Sequence, residues 1–575
     1  MKKNKFLCLA MSLLMGLTSI FAVGCGGAGG GFNEEIDDDK VQIYFGVNNA
    51  GWGEQFAISW GDAYEELHKN DVYQTPDGEK TGVQVLVTGD GQLGGTMNST
   101  SDFDFDIFMV EVANYHDYKG KGDLVNLTSI VKEANPYDTE GKSIEERMLK
   151  NQRVFFGDTE TAGEEQYYAL PSYEAYYSMF YDRDVWESKG LFLTDENGQV
   201  EVIDKFAYND YKDAGLLTTG PDNKTGIIDG INYSEDDGLP RTTEEFMLIF
   251  EAMPDGIEPF YFPYGGQGYT NRFMMNLWAS FAGYENMERN FTYSGSEVLV
   301  KGFNPDGSID YDDKATNITP ENGYELQRQA SKYQALDFVY KIFNNNYATY
   351  TAGVSTREAQ KRFLLSQIDP TAEKTRGVYG DGSWWYLEAW DVMDGHSDLY
   401  PNSGPTEKRI GILPMPKATE DAEQTVFVCN RPSIFVNSHK VGWREDIVLD
   451  FLQYCLSDVG LSQYTINVNA PMSYEYNLVS EYASQANYYT NSLMKTKNTC
   501  ARVIPQYING MYTIGQTPYA GDSPVSWGSE IGGLDYTVPF TAFAVNKITA
   551  VDYFKGLAQK NKASNWKTPE ASAQA

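Results

Sequence analysis

The chain has 575 residues and a formal net charge of −36, and 14% of its residues are aromatic. This length exceeds what one small core can hold, so we expect at least two domains. A surface this acidic repels phosphate backbones and anionic membranes, which argues against nucleic-acid binding. The aromatic residues fit either ordinary core packing or a surface that stacks on the apolar faces of sugar rings, and composition leaves both open.

The N-terminus has the pattern of an exported protein. Three lysines precede an apolar stretch, residues 6–21, that is too short for a transmembrane helix and predicts a signal peptide over residues 1–24. The stretch ends in Ala22-Val23-Gly24-Cys25, where small residues before a cysteine resemble the bacterial lipobox, whose cysteine is lipidated. Ordinary cleavage beside an incidental cysteine is the alternative. Residues 25–40, glycine-rich and then acidic, predict a lipid anchor on Cys25 followed by a flexible spacer.

The remaining cysteines are too few for a structural framework. Apart from Cys8 and Cys25, the chain has Cys429, Cys455 and Cys500, no C-x-x-C spacing and four histidines in all. We therefore expect no metal site and no disulfide framework, with buried free thiols instead, and no motif indicates a cofactor. Whether two of the three thiols pair is left open by the sequence.

The first elements of the folded body alternate between strand and helix. Residues 41–47 are β-branched and aromatic and predict a strand, and apolar residues at helical spacing predict a helix over 55–69. Residues 82–88 and 106–112 predict two further strands. This order indicates parallel pairing and an α/β domain. In such sheets ligands bind at the carboxyl ends of the strands.

The second part of the chain continues this pattern with insertions. Residues 172–186 predict a strand entering a helix, and the polar, glycine-rich residues 192–239 predict inserted hairpins. Residues 241–253 begin with a threonine cap and acidic first-turn residues, which predicts a helix. Further predicted elements are helices at 273–281, 327–344 and 445–456, short strands at 409–414 and 425–428, and a loose tail beyond residue 560.

Six segments stand in an order that is typical of one family. They are VQIYFGVNNAGWGEQF, FDFDIFMVEVANYHDYKGKGDLVNLTSIV, YYALPSYEAYYSMFYDRDVWESKGL, LPRTTEEFMLIFEAM, GVYGDGSWWYLEAWDVM, and RIGILPMP followed by SIFVNSHKVGWREDIVLDFLQYCLSDVGL and VNAPMSYEY. Together, behind the lipobox, they resemble an extracellular solute-binding protein of the ABC-transporter type, in the sugar-binding family 1 branch. Thr243 and Asp182 depart from the family pattern, which usually has tryptophan and asparagine there.

The resemblance implies an α/β fold of two lobes, of the periplasmic-binding-protein type II, with a hinge and a ligand cleft between them. The chain would cross the hinge near residues 170–173, 379–383 and 428–433. The expected division is an N-terminal lobe of residues 41–171 plus 378–430, a C-terminal lobe of residues 172–377 plus 431–560, and a flexible tail of residues 561–575.

The resemblance also implies the function. We expect a monomeric binding protein, held at the outer side of the cell membrane by its lipid, that captures an oligosaccharide and delivers it to the permease subunits of an ABC importer. A hinge allows contacts with the ligand to select the closed state.

Candidate ligand contacts of the first lobe follow its predicted strands. Asn49, Trp52 and Glu54 lie in the glycine-flanked loop after the first strand, and Asp90 and Glu111 end the next two. Each of these polar groups is either a ligand contact or an ordinary solvated strand end. An exposed tryptophan in a loop has few structural roles, which favours Trp52 as a contact.

Candidate contacts near the crossings are mainly aromatic. Trp384 and Trp385 follow a Gly-x-Gly-Ser break, and the tryptophan of this motif often stacks on sugar in the family that the chain resembles; hinge packing is the alternative. Trp278 lies on an apolar stripe, where core packing is the favoured alternative. The remaining candidates are Asp381, Tyr173, Tyr176, Tyr177 and Arg431, at or near predicted crossings.

One alternative function is that of a glycoside-acting enzyme. Such an enzyme would need two carboxylates roughly 5 to 10 Å apart across the scissile bond, and no motif singles out such a pair. We therefore expect a binding protein and not an enzyme. A surface adhesin for polysaccharides and a binding protein for a non-sugar solute stay open as alternatives.

Overall fold

A computed structural model describes residues 32–49, 51–91, 93, 97–111, 115–158, 164–193, 217–218, 238–263, 267–368, 374–397, 403–419, 422–429, 432–505, 527–536 and 538–566. The predicted signal peptide, Cys25 and Arg431 lie outside the described residues. Within the described part of the chain, no helix is both long enough and apolar enough to cross a membrane.

The helices lie along the whole chain. In order they are α1 (Gln55–His68), α2 (Tyr115–Lys121), α3 (Thr128–Lys132), α4 (Ile144–Arg147), α5 (Lys150–Phe156), α6 (Arg183–Lys189), α7 (Thr243–Ala252), α8 (Gln267–Thr292, interrupted at Gly283), α9 (Ala330–Asn344), α10 (Thr356–Ile368), α11 (Trp385–Glu388), α12 (Trp390–Ser397), α13 (Glu445–Cys455), α14 (Asp458–Val468), α15 (Ser480–Ala483), α16 (Tyr488–Thr499), α17 (Pro539–Ala544) and α18 (Ala550–Lys560).

The strands are shorter and more numerous. In order they are β1 (Val41–Val47), β2 (Val72–Thr75), β3 (Gly78–Thr81), β4 (Val83–Gly89), β5 (Ile107–Val110), β6 (Gly157–Asp158), β7 (Gln166–Tyr167), β8 (Leu170–Pro171), β9 (Tyr177–Asp182), β10 (Phe192–Leu193), β11 (Leu217–Thr218), β12 (Ile257–Tyr261), β13 (Ser296–Glu297), β14 (Val300–Phe303), β15 (Ile309–Tyr311), β16 (Thr316–Asn317), β17 (Thr375–Gly382), β18 (Ile410–Leu413), β19 (Thr425–Phe427), β20 (Ser433–Val436), β21 (Ala501–Val503), β22 (Ser529–Ile531) and β23 (Leu534–Tyr536).

The first lobe is built on a five-stranded sheet in the order β4-β1-β5-β20-β8. β1 pairs in parallel with β4 and with β5, as the strand–helix–strand order predicts. β20 joins the sheet antiparallel to β5, although more than 300 residues separate the two strands in the chain. Helix α1 packs on β4 and on α14, and the indole nitrogen of Trp60 donates to the carbonyl of Gly460 at 2.9 Å. Both β5 and β20 are buried along their whole length.

The second lobe is built on a four-stranded sheet in the order β12-β17-β9-β18. β12 is parallel to β17, whereas β9 runs antiparallel to both β17 and β18. Helix α8 packs against β9, β17 and the β19–β21 pair, α9 covers α8, and α16 packs on β18. Every residue of β9 is buried.

The strand pairing differs from the predicted division of the chain. The prediction assigns residues 378–430, and with them most of β17 and all of β18, to the first lobe. Both strands lie in the second sheet. β20, α13 and α14 were placed in the second lobe with residues 431–560, but they lie on the first sheet. These strands differ from the prediction because the lobe to which a buried strand belongs depends on its pairing partners, which lie far along the chain.

The same pairing locates the passages between the sheets. The chain passes from the first sheet to the second between β8 and β9, and it returns between β19 and β20. It leaves again between α14 and α16, since α16 packs on β18 of the second sheet. Residues 379–383 were expected to form a crossing, but they belong to β17 and the turn after it and stay within the second lobe.

The predicted spacer is ordered from residue 32 onward. The backbone nitrogen of Asn33 donates to the carbonyl of Val87 at 3.0 Å, and its side-chain oxygen accepts from the Val87 nitrogen at 2.7 Å. The ring of Phe32 lies 5.2 Å from the ring of Tyr44. β4 is an edge strand, and its free backbone groups bind this segment despite its polar, acidic composition.

The start of the predicted tail is also ordered. The Trp566 indole nitrogen donates to the carbonyl of Pro320 at 2.7 Å, and its ring lies 5.7 Å from Tyr293. These contacts join residues just beyond α18 to the hairpins that follow α8. The rest of the predicted tail, residues 567–575, lies outside the described residues.

Candidate ligand-binding site

Four aromatic side chains meet where the two lobes face each other. Trp52, in the loop after β1, lies 5.1 Å from the ring of Tyr173 and 6.5 Å from the ring of Trp384. Trp384 follows β17 of the second lobe, and its ring lies 5.1 Å from Tyr177, the first residue of β9. All three contacts are close to edge-to-face, the geometry that aromatic rings prefer. We call Trp52, Tyr173, Tyr177 and Trp384 the aromatic cluster.

The members of the aromatic cluster cover one another. Trp52 is 2% exposed and Trp384 is 7% exposed, and both tyrosines are buried. Because Trp52 and Trp384 come from opposite lobes, a movement of the lobes apart would expose both rings to solvent. The cluster therefore changes its accessibility with the angle between the lobes.

The first lobe adds polar groups beside the aromatic cluster. The hydroxyl of Tyr173 donates to the carboxylate of Glu111, which stands directly after β5. The side chains of Asn49 and Glu54 both approach Gly89 at the end of β4, where a Cβ atom would collide with them. These contacts place the ends of β1, β4 and β5 together, as expected for parallel strands.

Asp90 follows Gly89 and lies at the same edge of the sheet. Its side chain is exposed, and its backbone nitrogen donates to the carbonyl of Val47 at 3.0 Å. The structure therefore brings together all five polar and aromatic candidates of the first lobe at the carboxyl edge of its sheet.

Asp381 of the second lobe lies beneath the cluster. Its side chain has no exposed surface, and it accepts hydrogen bonds from the Tyr379 hydroxyl and from the Gly382 nitrogen, the latter at 2.7 Å. Burial raises the pKa of Asp381 to about 8. This carboxyl group supports the turn before Trp384 and does not line the space between the lobes.

The structure places three other predicted contacts elsewhere. Trp385 lies in the core of the second lobe, 5.2 Å from the ring of Tyr379. Trp278 is buried between α8 and α9, where its indole nitrogen donates to the Ser331 hydroxyl at 3.2 Å. Tyr176 is buried at the first passage between the sheets, and its hydroxyl donates to Glu174. Each of these three rings packs in the interior of the protein, because an apolar ring has more contacts within a lobe than at its edge.

Two residues near the cluster were not predicted. Tyr269, at the start of α8, lies 5.7 Å from the ring of Tyr177 and is partly exposed. Glu388, at the end of α11, lies one helical turn after Trp384 and accepts from the Gln360 side chain at 2.8 Å. No local sequence pattern identifies Tyr269 as a contact, since α8 is far from the predicted crossings in the sequence. The four-residue spacing from Trp384 to Glu388 was a usable signal.

A largely buried polar network, in which only Glu475 is exposed, joins the lobes behind the cluster. Arg502, on β21 of the second lobe, donates to Glu174 at 2.8 Å and to Glu475. Glu174 also accepts from the Ser473 hydroxyl at 2.9 Å, and Ser473 in turn accepts from the Gln152 side chain of α5. Because Gln152 belongs to the first lobe, these five residues form a continuous polar connection across the hinge. We call them the hinge network.

Three free cysteines are present in the described part of the chain, as predicted. Cys429 and Cys455 are buried, and Cys500 is partly buried. Burial raises the pKa of Cys429 to about 12, which keeps this thiol protonated and unreactive.

Solved structures of other proteins have a similar fold. No family model matches the sequence, and no curated protein sequence matches it. The apo form of RafE from Streptococcus pneumoniae superposes with a TM-score of 0.50 at 10% identity, over 93% of this chain and 100% of RafE. A probable secreted solute-binding lipoprotein from Streptomyces coelicolor gives a TM-score of 0.48 at 12% identity, over 91% and 99%. The GacH receptor of Streptomyces glaucescens GLA.O gives 0.47 at 11% identity, over 92% and 100%.

The likeness to RafE concerns the fold. It shows that this chain has the two-lobed α/β fold of solute-binding proteins, so the predicted fold class is confirmed.

Proposed function

We propose that this protein is an extracellular solute-binding lipoprotein that captures an oligosaccharide between its lobes and delivers it to an ABC importer. The observation that carries the proposal is the aromatic cluster, to which both lobes contribute rings. Aromatic rings stack on the apolar faces of sugars, and carboxylates accept strong hydrogen bonds from hydroxyl groups. Glu111 after β5, with Asn49 and Glu54 in the loop after β1, supplies carboxylates and an amide at the same edge of the sheet as Trp52.

Binding would be coupled to movement about the hinge. A saccharide that enters between Trp52 and Trp384 replaces a contact between two rings by two contacts between ring and sugar. Such a ligand interacts with both lobes only when they are close, so it favours the closed state. A permease can then distinguish the loaded form by the relative position of the lobes.

The lipid on Cys25 would hold this receptor at the membrane. Six residues, 26–31, lie between Cys25 and Phe32, and Asn33 is already bound to β4. That length spans at most about 25 Å when extended. A tether this short keeps the receptor at a high effective concentration beside its permease.

Isothermal titration tests the proposal directly. The mature chain carrying Cys25→Ser, which removes the lipid, would be titrated with raffinose, maltotriose, cellotriose and xylotriose. We expect at least one of them to bind with a Kd of about 1 μM to 100 μM and without turnover. Hydrolysis of a trisaccharide would favour a glycoside-acting enzyme instead, and a panel without any binder would overturn the proposal.

A further inference from the structure

Glu388 shares one face of a helical turn with Trp384. The backbone nitrogen of Glu388 donates to the carbonyl of Trp384 at 3.3 Å, so the two residues stand at positions i and i+4. Trp384 belongs to the aromatic cluster, whereas Glu388 is not among the contacts that the sequence predicted. The carboxylate therefore lies beside the indole ring that a ligand would stack on.

One oxygen of this carboxylate faces the opposite lobe. Its Oε1 atom lies 3.6 Å from the position that a Cβ atom of Gly51 would occupy, and the Cβ of Trp384 lies 3.7 Å from the same point. Gly51 belongs to the loop after β1, which also carries Trp52, and its φ of +80° favours glycine. Glu388, Trp384 and Gly51 thus enclose one region between the lobes.

The hydrogen bonds of Glu388 leave this oxygen available. Its Oε2 atom accepts from Gln360 at 2.8 Å, and none of the described residues donates to Oε1 or forms an ion pair with the carboxylate. Arg357 is the nearest cation by contact, but it donates to the backbone carbonyl of Glu388 and pairs with the carboxylate of Asp391. Burial raises the pKa of Glu388, because the Gln360 hydrogen bond and the Arg357 charge offset only part of the desolvation.

We propose that Glu388 is a specificity-determining residue of the ligand site, and this inference rests on the proposed function. Its Oε1 atom accepts hydrogen bonds from hydroxyl groups at the edge of the sugar ring that stacks on Trp384. A carboxylate between the lobes favours ligands that donate hydrogen bonds, and it disfavours sugars that carry their own carboxylate at this position. The ligand class is therefore a neutral oligosaccharide with free hydroxyls on the ring bound by the second lobe.

Two matched variants test this role. Glu388→Gln removes the charge and keeps the shape of the side chain. Glu358→Gln makes the same change on α10, where the carboxylate is exposed and pairs with Arg362. Both would be titrated with whichever of raffinose, maltotriose, cellotriose and xylotriose binds the unaltered mature chain most tightly, and the Tm of each variant would be recorded.

We expect Glu388→Gln to raise the Kd by about 10- to 100-fold, because a charged hydrogen bond is lost from a poorly hydrated site. Its Tm should not fall, since a largely buried carboxylate that forms no ion pair with the described residues is removed. Glu358→Gln should leave the Kd within about twofold. A Kd for Glu388→Gln that also stays within about twofold overturns the inference but leaves the proposed function standing. If none of the four sugars binds the unaltered chain, the proposed function is overturned, and this inference with it.

Discussion

The hinge network and the region beneath the aromatic cluster both bury carboxylates, and the two regions compensate them differently. Glu174 of the hinge network accepts hydrogen bonds from Arg502, Ser473 and Tyr176, and it has no exposed surface. Asp381, beneath the aromatic cluster, has no exposed surface either, but its described partners are the neutral groups of Tyr379 and Gly382.

The difference separates structural carboxylates from those available for other roles. A buried charge that has an arginine partner keeps its charge and holds two elements together. A buried carboxyl without a cation shifts its pKa upward and takes a proton near neutral pH, as Asp381 does. The hinge is therefore held by an ion pair, whereas the region beneath the aromatic cluster contains an acid whose state depends on pH.

The largest expected effect comes from removing the cation of the hinge network. Arg502→Met leaves Glu174 buried without its partner, which should lower the free energy of unfolding by about 3–5 kcal/mol. Urea denaturation followed by circular dichroism measures the change. The double variant Glu174→Gln with Arg502→Met removes both charges and should recover much of the loss. A single variant as stable as the unaltered protein would show that the hinge charge is solvated rather than buried.

Neighbouring tryptophans offer a second contrast, between cleft and core. Trp385→Ala removes a ring from the core of the second lobe and should lower the free energy of unfolding by about 3–5 kcal/mol. Trp384→Ala should raise the Kd for a bound trisaccharide by about tenfold, because one stacking face is lost. Titration calorimetry and thermal unfolding of both variants separate the two effects. Equal changes in Kd for the two variants would contradict the assignment of Trp384 to the cleft and Trp385 to the core.

The pH dependence of stability gives the smallest of the three effects. The pKa of Asp381 is raised from 3.8 to about 8 in the folded state, so the folded protein holds a proton that the unfolded chain releases. This group therefore stabilises the fold most at low pH, and its contribution is lost as pH rises from 4 toward 8. Asp381→Asn stays neutral, so its stability relative to the unaltered protein should increase by about 1 kcal/mol per pH unit between pH 6 and pH 7. Urea denaturation at both pH values measures this, and a constant difference would contradict it.

Much of the fold follows from local patterns in the sequence. The strands β1, β4 and β5, the helix α1 and their parallel order were predicted, and they determine where the first lobe presents Trp52 and Glu111. The division between the lobes was not predictable, because β17 and β20 are assigned to their sheets by pairing partners that lie far along the chain.

The candidate site was only partly predicted, because it too depends on contacts between segments that are distant in the sequence. Trp52, Tyr173, Tyr177 and Trp384 meet, although they come from three separate segments. Tyr269 was missed because its proximity to Tyr177 depends on how α8 packs on β9. Which of the adjacent tryptophans faces the cleft also depends on packing, since both follow the same turn.

The amino-acid sequence by itself predicted an export signal with a lipobox, the α/β alternation and the aromatic and polar residues of a candidate sugar site. These features depend on local composition and on spacing within a few turns or strands. The tertiary structure decided which strand joins which lobe, which of Trp384 and Trp385 is available, and that Arg502 compensates Glu174 whereas Glu388 keeps an oxygen available. Those outcomes depend on contacts between distant segments, because burial and hydrogen-bond partners are properties of the packed chain.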